Sequence, residues 1–385
     1  MRVKLGEVCR FINGDRGKNY PSQAEISNDG DVPFINAGHI DEGKLNFSEM
    51  NYISKEKYDQ LNSGKIQKND VLYCLRGSLG KKTIVKDISK GAIASSLVII
   101  RPDADKIDSD YLYYALESPT VQKQMIQANN GSSQPNLSAK SVSEYTFNLP
   151  DINTQRIVVS KLGIATYLID LRKQQLSKLD ELVKARFVEL FEDGESPIKT
   201  VEELCSAIVD CPHTTPKYEG ELKNPAIRTT EIKKGYIAWE TMRYVSDEEY
   251  EERTTRLKPE AGDIVYGREG TFGNAAILPK GYHFCLGQRV MLLRPDYSKC
   301  TSEYLLYAVI SDDVYRQAVG KNNASTVAHV NVKDVKQFKI PLPSFDKQNQ
   351  FAAFVEQTDK SKLAVLKSLE ELETLKKSLM QQYFG

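Results

Sequence analysis

Residues 262–277 read GDIVYGREGTFGNAAI, and residues 69–85 read NDVLYCLRGSLGKKTIV. In both stretches an alternating apolar run enters a glycine-rich turn that contains an arginine, and a second apolar run follows. Alternation with period two predicts strands, and glycines in the turn permit positive φ, so each stretch predicts a tight β-hairpin. Because the pattern occurs twice with an arginine in the turn, it favours a surface that recognises a ligand.

Glycine-rich turns also suggest a phosphate-binding loop, because backbone N–H groups can approach an anion where no side chain intervenes. The spacing excludes both common versions. A Walker loop needs a glycine five residues before its Gly-Lys pair, and the residue five before Gly80 is Leu75. Gly267, Gly270 and Gly273 also lack the GxGxxG spacing of a dinucleotide site. The sequence therefore predicts no ATP-driven activity in this chain.

An internal repeat extends over the whole chain of 385 residues. Most matched positions are 193 residues apart, and upstream the offset drifts to values such as 192, as small loop insertions within a shared fold would cause. The matched stretches are 70–73 with 263–266, 101–102 with 294–295, 110–115 with 303–308, 149–150 with 342–343, and Gln155 with Gln348. The chain therefore consists of one unit written twice.

Each repeat begins with a globular part that is rich in glycine, asparagine, tyrosine and short alternating runs. This composition predicts an α+β domain with a mostly β core and one helix, Ser109–Glu117, echoed by Ser302–Ile310. The predicted organisation is a first globular domain at 1–150, a central helix at 151–195, a second globular domain at 196–343 and a C-terminal helix at 344–385.

The helical parts, 153–191 and 347–384, contain no proline, and leucines recur in both at helical spacing. Helices of this length cannot be buried by one small domain. Either they bind a partner as a coiled coil, or the two stripes bury each other as an antiparallel coiled coil, which would relate the two domains by a pseudo-twofold axis. The stripe residues, which are also the candidate subunit-binding residues, are Leu176, Leu179, Leu182, Leu369, Leu372 and Leu375.

Composition excludes several classes of protein. The N-terminus MRVKLGEVCR has no apolar signal segment, and the longest apolar stretch, near AIASSLVII, is too short to span a membrane, so a cytoplasmic location is expected. The six cysteines and four histidines form no CxxC or HExxH motif. A zinc set of Cys205, Cys211 and His213 is less favoured than buried thiols, so no metal is predicted. Since 52 basic residues balance 52 acidic ones, any DNA-binding face must be a local patch.

The duplicated order of these features resembles the specificity subunit of type I restriction-modification systems, HsdS. The stretches that carry the resemblance are GSSQPNLSAKSVSEYTFNLPDINTQRIV at 131–158 and ASTVAHVNVKDVKQFKIPLPSFDKQNQF at 324–351, together with the two hairpins. It covers the whole chain. One departure is that INTQ at 152–155 and FDKQ at 345–348 replace the commoner Leu-Pro-Glu-Gln of the family.

The resemblance implies a DNA-reading scaffold without catalytic residues of its own. In the family, each recognition domain reads one half of an asymmetric bipartite site in double-stranded DNA, and the helices set the gap and dock two modification (methyltransferase) subunits. Restriction subunits then complete the nuclease. The resemblance implies no cofactor in this chain, with S-adenosylmethionine and ATP/Mg on the partner subunits.

Two alternatives remain open. No Asn-Pro-Pro-Tyr or Asp-Pro-Pro-Tyr tetrapeptide of an adenine methyltransferase is present, but Asp210, Glu221 and Lys223 have the D…ExK order of many nucleases. The first repeat breaks that order at Ser27, and such short patterns arise often by chance. The other alternative is a non-catalytic architectural adaptor without DNA specificity.

Candidate DNA-contacting residues follow from base chemistry, because arginine pairs with guanine and asparagine or glutamine with adenine, while lysines and hydroxyls grip phosphates. In the first domain they are Arg16, Lys18, His39, Arg76, Ser78, Lys81, Ser132, Ser133, Gln134 and Asn136. In the second domain they are Thr214, Thr215, Lys217, Arg228, Thr230, Arg268, Thr271, Asn274, Gln288, Arg289, Thr326, His329 and Asn331.

Among these, Arg268, Thr271 and Asn274 are expected to match the hairpin residues of the first copy. Each candidate has the alternative of a solvated loop residue, and for His39 a structural histidine is an equal alternative. Since 131–136 (GSSQPN) and 324–329 (ASTVAH) differ strongly, the two half-sites are predicted to differ.

Overall fold

A computed structural model of the chain describes residues 1–129, 135–191, 196–219, 223–270, 273–320 and 329–385. Contacts divide the chain into two compact units. The first unit is Met1–Lys173 with Lys367–Gly385, and the second is Gln174–Leu366. Each unit therefore contains one globular part and one end of each long helix, and the predicted mixed fold with a long helix per domain is confirmed.

The first globular part combines short strands and short helices. Its strands are β1 (Arg2–Lys4), β2 (Cys9–Asn13), β3 (Val32–Ile35), β4 (Ile40–Asp41), β5 (Lys44–Leu45), β6 (Tyr52–Ile53), β7 (Val71–Cys74), β8 (Lys82–Ile84), β9 (Ala92–Ile93), β10 (Leu97–Pro102) and β11 (Thr146–Asn148). Its helices are α1 (Leu5–Val8), α2 (Lys55–Gln60), α3 (Ser109–Glu117), α4 (Pro119–Ala128) and α5 (Ala139–Ser143), with 3₁₀ turns at Gln23–Glu25 and Ala37–His39. The long helix α6 (Ile152–Phe191) follows.

The second globular part repeats this order. Its strands are β12 (Ile198–Thr200), β13 (Cys205–Asp210), β14 (Tyr218–Glu219), β15 (Asn224–Ile227), β16 (Arg243–Val245), β17 (Ile264–Gly267), β18 (Ala275–Ile277), β19 (Cys285–Leu286), β20 (Val290–Pro295) and β21 (Lys339–Pro341). Its helices are α7 (Val201–Leu204), α8 (Asp247–Arg253), α9 (Ser302–Val309), α10 (Asp312–Gly320) and α11 (Val332–Lys336), and the long helix α12 (Phe345–Phe384) follows.

The central sheet of each globular part has four strands, in the order β2-β10-β7-β8 in the first and β13-β20-β17-β18 in the second. The two hairpins predicted from sequence are confirmed as the antiparallel pairs β7–β8 and β17–β18. Gly80 and its counterpart Gly273 adopt positive φ in the turns, which explains why glycine recurs there. The sheets thereby hold the arginine-containing turns at one end.

A buried ion pair explains the repeated aspartate and arginine of the two copies. Arg101 donates from Nε and Nη2 to the carboxylate of Asp70 at 2.7 and 2.8 Å. Arg294 makes the same bidentate contact with Asp263 at 2.8 Å for both bonds. Both carboxylates are almost fully buried, so each pair fixes the base of its hairpin against the central strand.

The repeated glutamine at the start of each long helix is fully buried and joins the helix to the globular part. Gln155 accepts from the backbone N–H of Asp108 and donates to the carbonyls of Lys106 and Pro150, each at 2.9 Å. Gln348 repeats all three bonds with the residues 193 positions further on, at 2.9–3.2 Å. The contacts explain why the glutamine persists where the flanking residues differ.

We expect Gln348→Ala to lower the free energy of unfolding of the second unit by about 2–3 kcal/mol, because three buried or partly buried backbone groups lose their partner. The single tryptophan of the chain, Trp239, lies in the second unit, so its emission during denaturation reports that unit. Gln350→Ala, at an exposed position of the same helix, is the control and should change the free energy by no more than about 0.5 kcal/mol. Equal effects of the two variants would contradict the anchoring role.

The prediction of helix Ser109–Glu117 is confirmed, and its echo ends one residue earlier than predicted, at Val309. The prediction of only one helix in each globular part is wrong. Helix α4 begins after a single residue, Ser118, whose hydroxyl caps it while Pro119 occupies its first position. A helix that starts at a Ser-Pro step so soon after another is easily mistaken for a break in one helix.

In each unit the long helices α6 and α12 run antiparallel to each other. The contacts that show this are Lys161 with Tyr383 and Arg172 with Ser368 in the first unit, and Asp180 with Lys362 and Phe187 with Phe351 in the second. Of the helices that the described residues form, none has the length and apolar content needed to cross a bilayer.

The leucine stripe coincides only in part with the seam between the helices. Its first two members in each helix are partly buried, but Leu182 and Leu375 are about half exposed. In the second unit the buried seam continues instead through Val183, Phe187 and Phe191. The three leucines of each helix are separated by two steps of three residues. A coiled-coil seam alternates steps of three and four residues, so the third leucine lies to one side of the seam.

Candidate functional site

Each globular part carries a cleft at the equivalent place beside its hairpin turn. Arg76 pairs with Asn136 across an isolated bridge at the first cleft, and Glu269 pairs with His329 at the second. Glu269 lies 193 positions after Arg76, and His329 lies 193 positions after Asn136. The two clefts are therefore structural counterparts. Their volumes are about 290 Å³ in the first part and about 810 Å³ in the second.

The first cleft is cationic. Among its described lining residues are Arg16, Arg76 and Lys140, and none carries a carboxylate. Arg16, Arg76 and Lys140 are all exposed. Three cationic side chains around a polar cleft favour a ligand that is anionic and rich in hydrogen-bond acceptors, such as DNA phosphates and base edges.

The second cleft combines both signs of charge. Its lining includes three cations and three carboxylates, as well as two histidines: Arg268, Arg289, Lys333, Asp210, Glu269, Asp334, His213 and His329. Formal charges therefore cancel when the histidines are neutral. Because carboxylates accept hydrogen bonds and guanidinium groups donate them, this cleft can meet both donors and acceptors of a ligand.

Arg268 does not match Arg76, contrary to the prediction from sequence. Its side chain is buried, and its Nη2 lies 2.8 Å from Oδ1 of Asp210. The first part has a buried leucine, Leu75, in the corresponding place, with equivalent backbone bonds. Neighbouring residues of a strand face opposite sides, so the arginine that comes one residue earlier in the second copy is buried at the wall of the cleft instead of exposed in it.

Arg289 supplies the exposed guanidinium of the second cleft. Its Nε lies 2.9 Å from Oε2 of Glu269, whose other oxygen is 3.3 Å from Nδ1 of His329. Arg289 also adopts a left-handed backbone conformation with φ of 67°. The ion pair and the backbone together place this side chain at the mouth of the cleft.

His39 has a structural position outside the cleft. Its ring is buried, and its Nδ1 accepts from the backbone N–H of Asn36 at 3.2 Å, which requires the neutral ring. Burial lowers the pKa of His39, while the charge of Glu49 acts in the opposite direction. In the second part Glu231 replaces it and accepts from the backbone N–H of Arg228 at 3.0 Å.

The guanidinium of Arg228 is engaged with Glu231, at 3.0 Å from Nε to Oε2, and Thr230 donates to the same carboxylate at 2.7 Å. Burial would raise the pKa of Glu231, but the hydrogen bonds from Arg228, Thr230 and Thr241 outweigh it and hold the pKa below its ordinary value. Arg228 and Thr230 therefore support a turn rather than line the cleft.

The lowered pKa of His39 predicts a pH dependence of stability. The unfolded chain takes up the proton near pH 6.5, whereas the folded protein resists it, so the contribution of His39 is complete above pH 6.5 and declines as the pH falls below it. We expect the difference in melting temperature between the protein and His39→Gln to shrink from pH 7.5 to pH 5.5. The variant for comparison is His213→Gln, which replaces a histidine whose side chain is exposed.

The remaining predicted residues fall into three groups. Those that line a cleft are Arg16, Arg76 and Asn136 in the first part, and Arg268, Gln288, Arg289, His329 and Asn331 in the second. Those in other loops are Lys18, Ser78, Lys81, Thr214, Thr215, Lys217 and Asn274. Those outside the described residues are Ser132, Ser133, Gln134, Thr271 and Thr326, as well as Glu221 of the nuclease pattern.

Sequence reasoning missed several residues of the clefts. Lys140 and Lys333 line the two clefts at corresponding places, and their offset of 193 residues made them detectable as a repeated lysine. Glu269 gave no such signal, because its counterpart is an arginine.

The family model described as "Type I restriction modification DNA specificity domain" matches residues 1–181 and 215–375. Among curated relatives, the EcoBI specificity subunit of Escherichia coli is 25% identical over 164 residues, which cover 42% of this chain and 35% of that protein. The HindI specificity subunit of Haemophilus influenzae is 26% identical over 206 residues, which cover 52% of this chain and 44% of that protein. The chain thus spans less than half the length of these two relatives. The MjaVIII specificity subunit of Methanocaldococcus jannaschii is 20% identical, and the match covers 98% of this chain and 90% of that protein.

Solved structures share the fold over the whole chain. The S subunit of a type I restriction-modification system from M. genitalium has a TM-score of 0.58 at 15% identity, covering 100% of this chain and 96% of that one. A chain from a study of complex assembly and conformational transition of the type I R-M system has a TM-score of 0.59 at 18% identity, covering 100% and 97%.

Proposed function

Since this chain belongs to the family of type I restriction modification DNA specificity domains, we propose that it selects the DNA sequence on which a type I restriction-modification complex acts. The observation that carries the proposal is the pair of clefts, which lie at the same place in both copies but have different side chains. A reader of two different DNA segments needs one scaffold and two sets of contacts.

Each globular part reads one half of an asymmetric, bipartite site. The cationic first cleft favours base edges rich in acceptors, whereas the mixed second cleft also offers acceptors to the amino groups of cytosine and adenine. This difference supports unequal half-sites. The gap between half-sites is fixed by protein geometry, as in dimeric DNA readers.

The chain acts without catalytic residues of its own. Asp210, which belongs to the alternative nuclease pattern, is paired with the buried Arg268, and this contact supports a structural role for the carboxylate. S-adenosylmethionine and ATP with Mg²⁺ are bound by the modification and restriction subunits. The chain itself contributes recognition and docking.

The docking face for a modification subunit is an apolar stripe on α6 in the first unit. Its members are exposed and lie within about a third of the helix circumference: Ile157, Ile164, Tyr167, Leu168 and Leu171. Contiguous apolar surface of this kind marks an interface in soluble proteins. Because it lies on a different face from the seam with α12, a partner helix can cover it without separating the pair.

We expect Ile164→Asp to reduce co-purification of the modification subunit at least tenfold, because the carboxylate must be buried when the stripe is covered. The matched control is Gln357→Asp, at the corresponding exposed position of α12, which should leave the complex intact. If Ile164→Asp forms the complex as well as the unmodified chain does, the docking face lies elsewhere.

The function is tested by mapping adenine methylation across a genome in cells that express the modification subunit with and without this chain. A bipartite motif that depends on the chain is the expected result. A complex that forms but gives neither a motif nor site-specific binding would overturn the proposal and favour the adaptor. Cleavage by the chain alone that is lost in Glu221→Gln would favour the nuclease.

A further inference from the structure

The two clefts obtain an exposed guanidinium from different strands. In the first, Arg76 stands at the bridge with Asn136. In the second, the same place is taken by Glu269, which cannot donate to a base. Arg289, just before β20, brings a guanidinium to this cleft, and its counterpart in the first part is Ser96. The exposed cation therefore follows β7 in the first part, whereas in the second part it precedes β20.

The backbone of Arg289 is held in an unusual conformation. Its φ of 67° lies in the left-handed region, which a side chain with a Cβ adopts at a cost, whereas Ser96 is not among the described residues with positive φ. Such conformations persist where the surrounding structure enforces them, and they cluster at binding sites. The strained backbone therefore points to a function of this side chain that Ser96 does not share.

Glu269 fixes the guanidinium while leaving its outer edge available. The contact of 2.9 Å is made by Nε, and among the described residues the two terminal nitrogens of Arg289 donate no hydrogen bond, so they are available to a ligand. The side chain of Arg289 is 61% exposed and that of Glu269 is 26% exposed, so the guanidinium is the more accessible group of the pair. Two parallel N–H groups match the O6 and N7 acceptors of guanine in the major groove.

Arg268 is unsuited to this role, because it is buried against Asp210. We propose, on the basis of the proposed function, that Arg289 reads a guanine of the second half-site and that Glu269 is its positioning residue. Arg76 makes the corresponding contact in the first half-site. Both contacts determine sequence preference rather than overall affinity.

The experiment maps the methylated motif of the complete complex carrying Arg289→Lys, Arg289→Ala or Glu269→Gln. We expect both Arg289 variants to lose preference for guanine at one position of one half-site by at least tenfold, while the other half-site is unchanged. Glu269→Gln should relax the same position to a smaller degree. Arg76→Ala, as the matched control in the first part, should relax a position in the opposite half-site.

Arg289→Lys separates base reading from phosphate contact, because lysine keeps the charge but not the planar pair of donors. If its motif is as strict as that of the unmodified chain, Arg289 contacts phosphate and the inference fails. A motif unchanged in Arg289→Ala would overturn it equally. If the unmodified chain directs no motif at all, it is the proposed function that fails. Trp239 emission during denaturation verifies that the Arg289 and Glu269 variants, which lie in the same unit as Trp239, are folded.

Discussion

Phe351→Ala is expected to lower the free energy of unfolding of the second unit by about 3–5 kcal/mol. The ring is fully buried, and its centroid lies 5.2–5.5 Å from those of Phe187, Phe191 and Tyr307. These rings come from α6, α9 and α12, so the variant opens a cavity where both long helices meet the globular part. The expected loss of stability has two contributions. One is the free energy of burying the ring in the apolar interior, and the other is the edge-to-face contacts that the ring makes with its neighbours.

Trp239 emission during guanidinium denaturation measures this effect in the second unit. The control is Leu363→Ala on the same helix, whose side chain is 67% exposed and whose loss should cost no more than about 0.5 kcal/mol. The slope of the transition should be the same in both variants, because neither changes the surface exposed on unfolding substantially. A cost below about 1 kcal/mol for Phe351→Ala would contradict the packing of this cluster.

The repeat made much of the fold predictable from sequence. Asp70 and Arg101 recur at the same spacing because each pair forms one bidentate contact, and such a contact requires both residues. The hairpins were predictable for a similar reason, since alternation and glycine are local properties that need no knowledge of the neighbours. Local signals that occur twice support each other.

Contacts between distant residues were not predictable in this way. Lys57 pairs with Glu25 at 3.1 Å in the first part, and the same place in the second part holds Glu249 with Lys217 at 3.9 Å. The contact is retained while its signs are exchanged, so comparing residue types between the copies conceals it. Only the folded arrangement shows that the two pairs correspond.

The same difficulty limited the prediction of the candidate site, here at the level of single residues. One residue of shift decides whether the arginine of the turn is exposed at the cleft or buried against a carboxylate, and the sequence contains an arginine in both turns. The conformation of Arg289 depends on its tertiary surroundings, because no glycine or asparagine marks the position. Arg76 and Arg289 were candidates from base chemistry alone, and Lys140 and Lys333 were detectable as a repeated lysine, whereas Glu269 gave no signal because its counterpart is an arginine.

Asp210→Ala is expected to destabilise the second unit by about 3 kcal/mol, because it leaves the guanidinium of Arg268 buried without its carboxylate. Nε of Arg268 already has no acceptor among the described residues, so the contact of 2.8 Å with Asp210 is its principal compensation. Because Asp210 is 21% exposed, water can replace part of the lost contact. The expected destabilisation is therefore at the lower end of the range for removing one partner of a buried ion pair.

The first globular part shows how the same place is filled without charge. Asn13 and Leu75 stand where Asp210 and Arg268 stand in the second part, as the strand registers show. The double variant Asp210→Asn/Arg268→Leu should therefore lie within about 1 kcal/mol of the unmodified chain, since well-packed apolar replacements of buried ion pairs are often neutral. The amide oxygen introduced by Asp210→Asn would also still accept from the backbone N–H of Cys211, as the carboxylate does at 2.9 Å.

A double-mutant cycle by Trp239 emission separates the two contributions. If Arg268 is structural, the single variants Asp210→Asn and Asp210→Ala lose stability, Arg268→Leu restores it, and the double variant directs the same methylated motif as Asp210→Asn. If Arg268 contacts DNA, the double variant is stable but its second half-site differs from that of Asp210→Asn. The cycle thus decides between the two roles of Arg268 because removing the charge affects the fold and the motif independently.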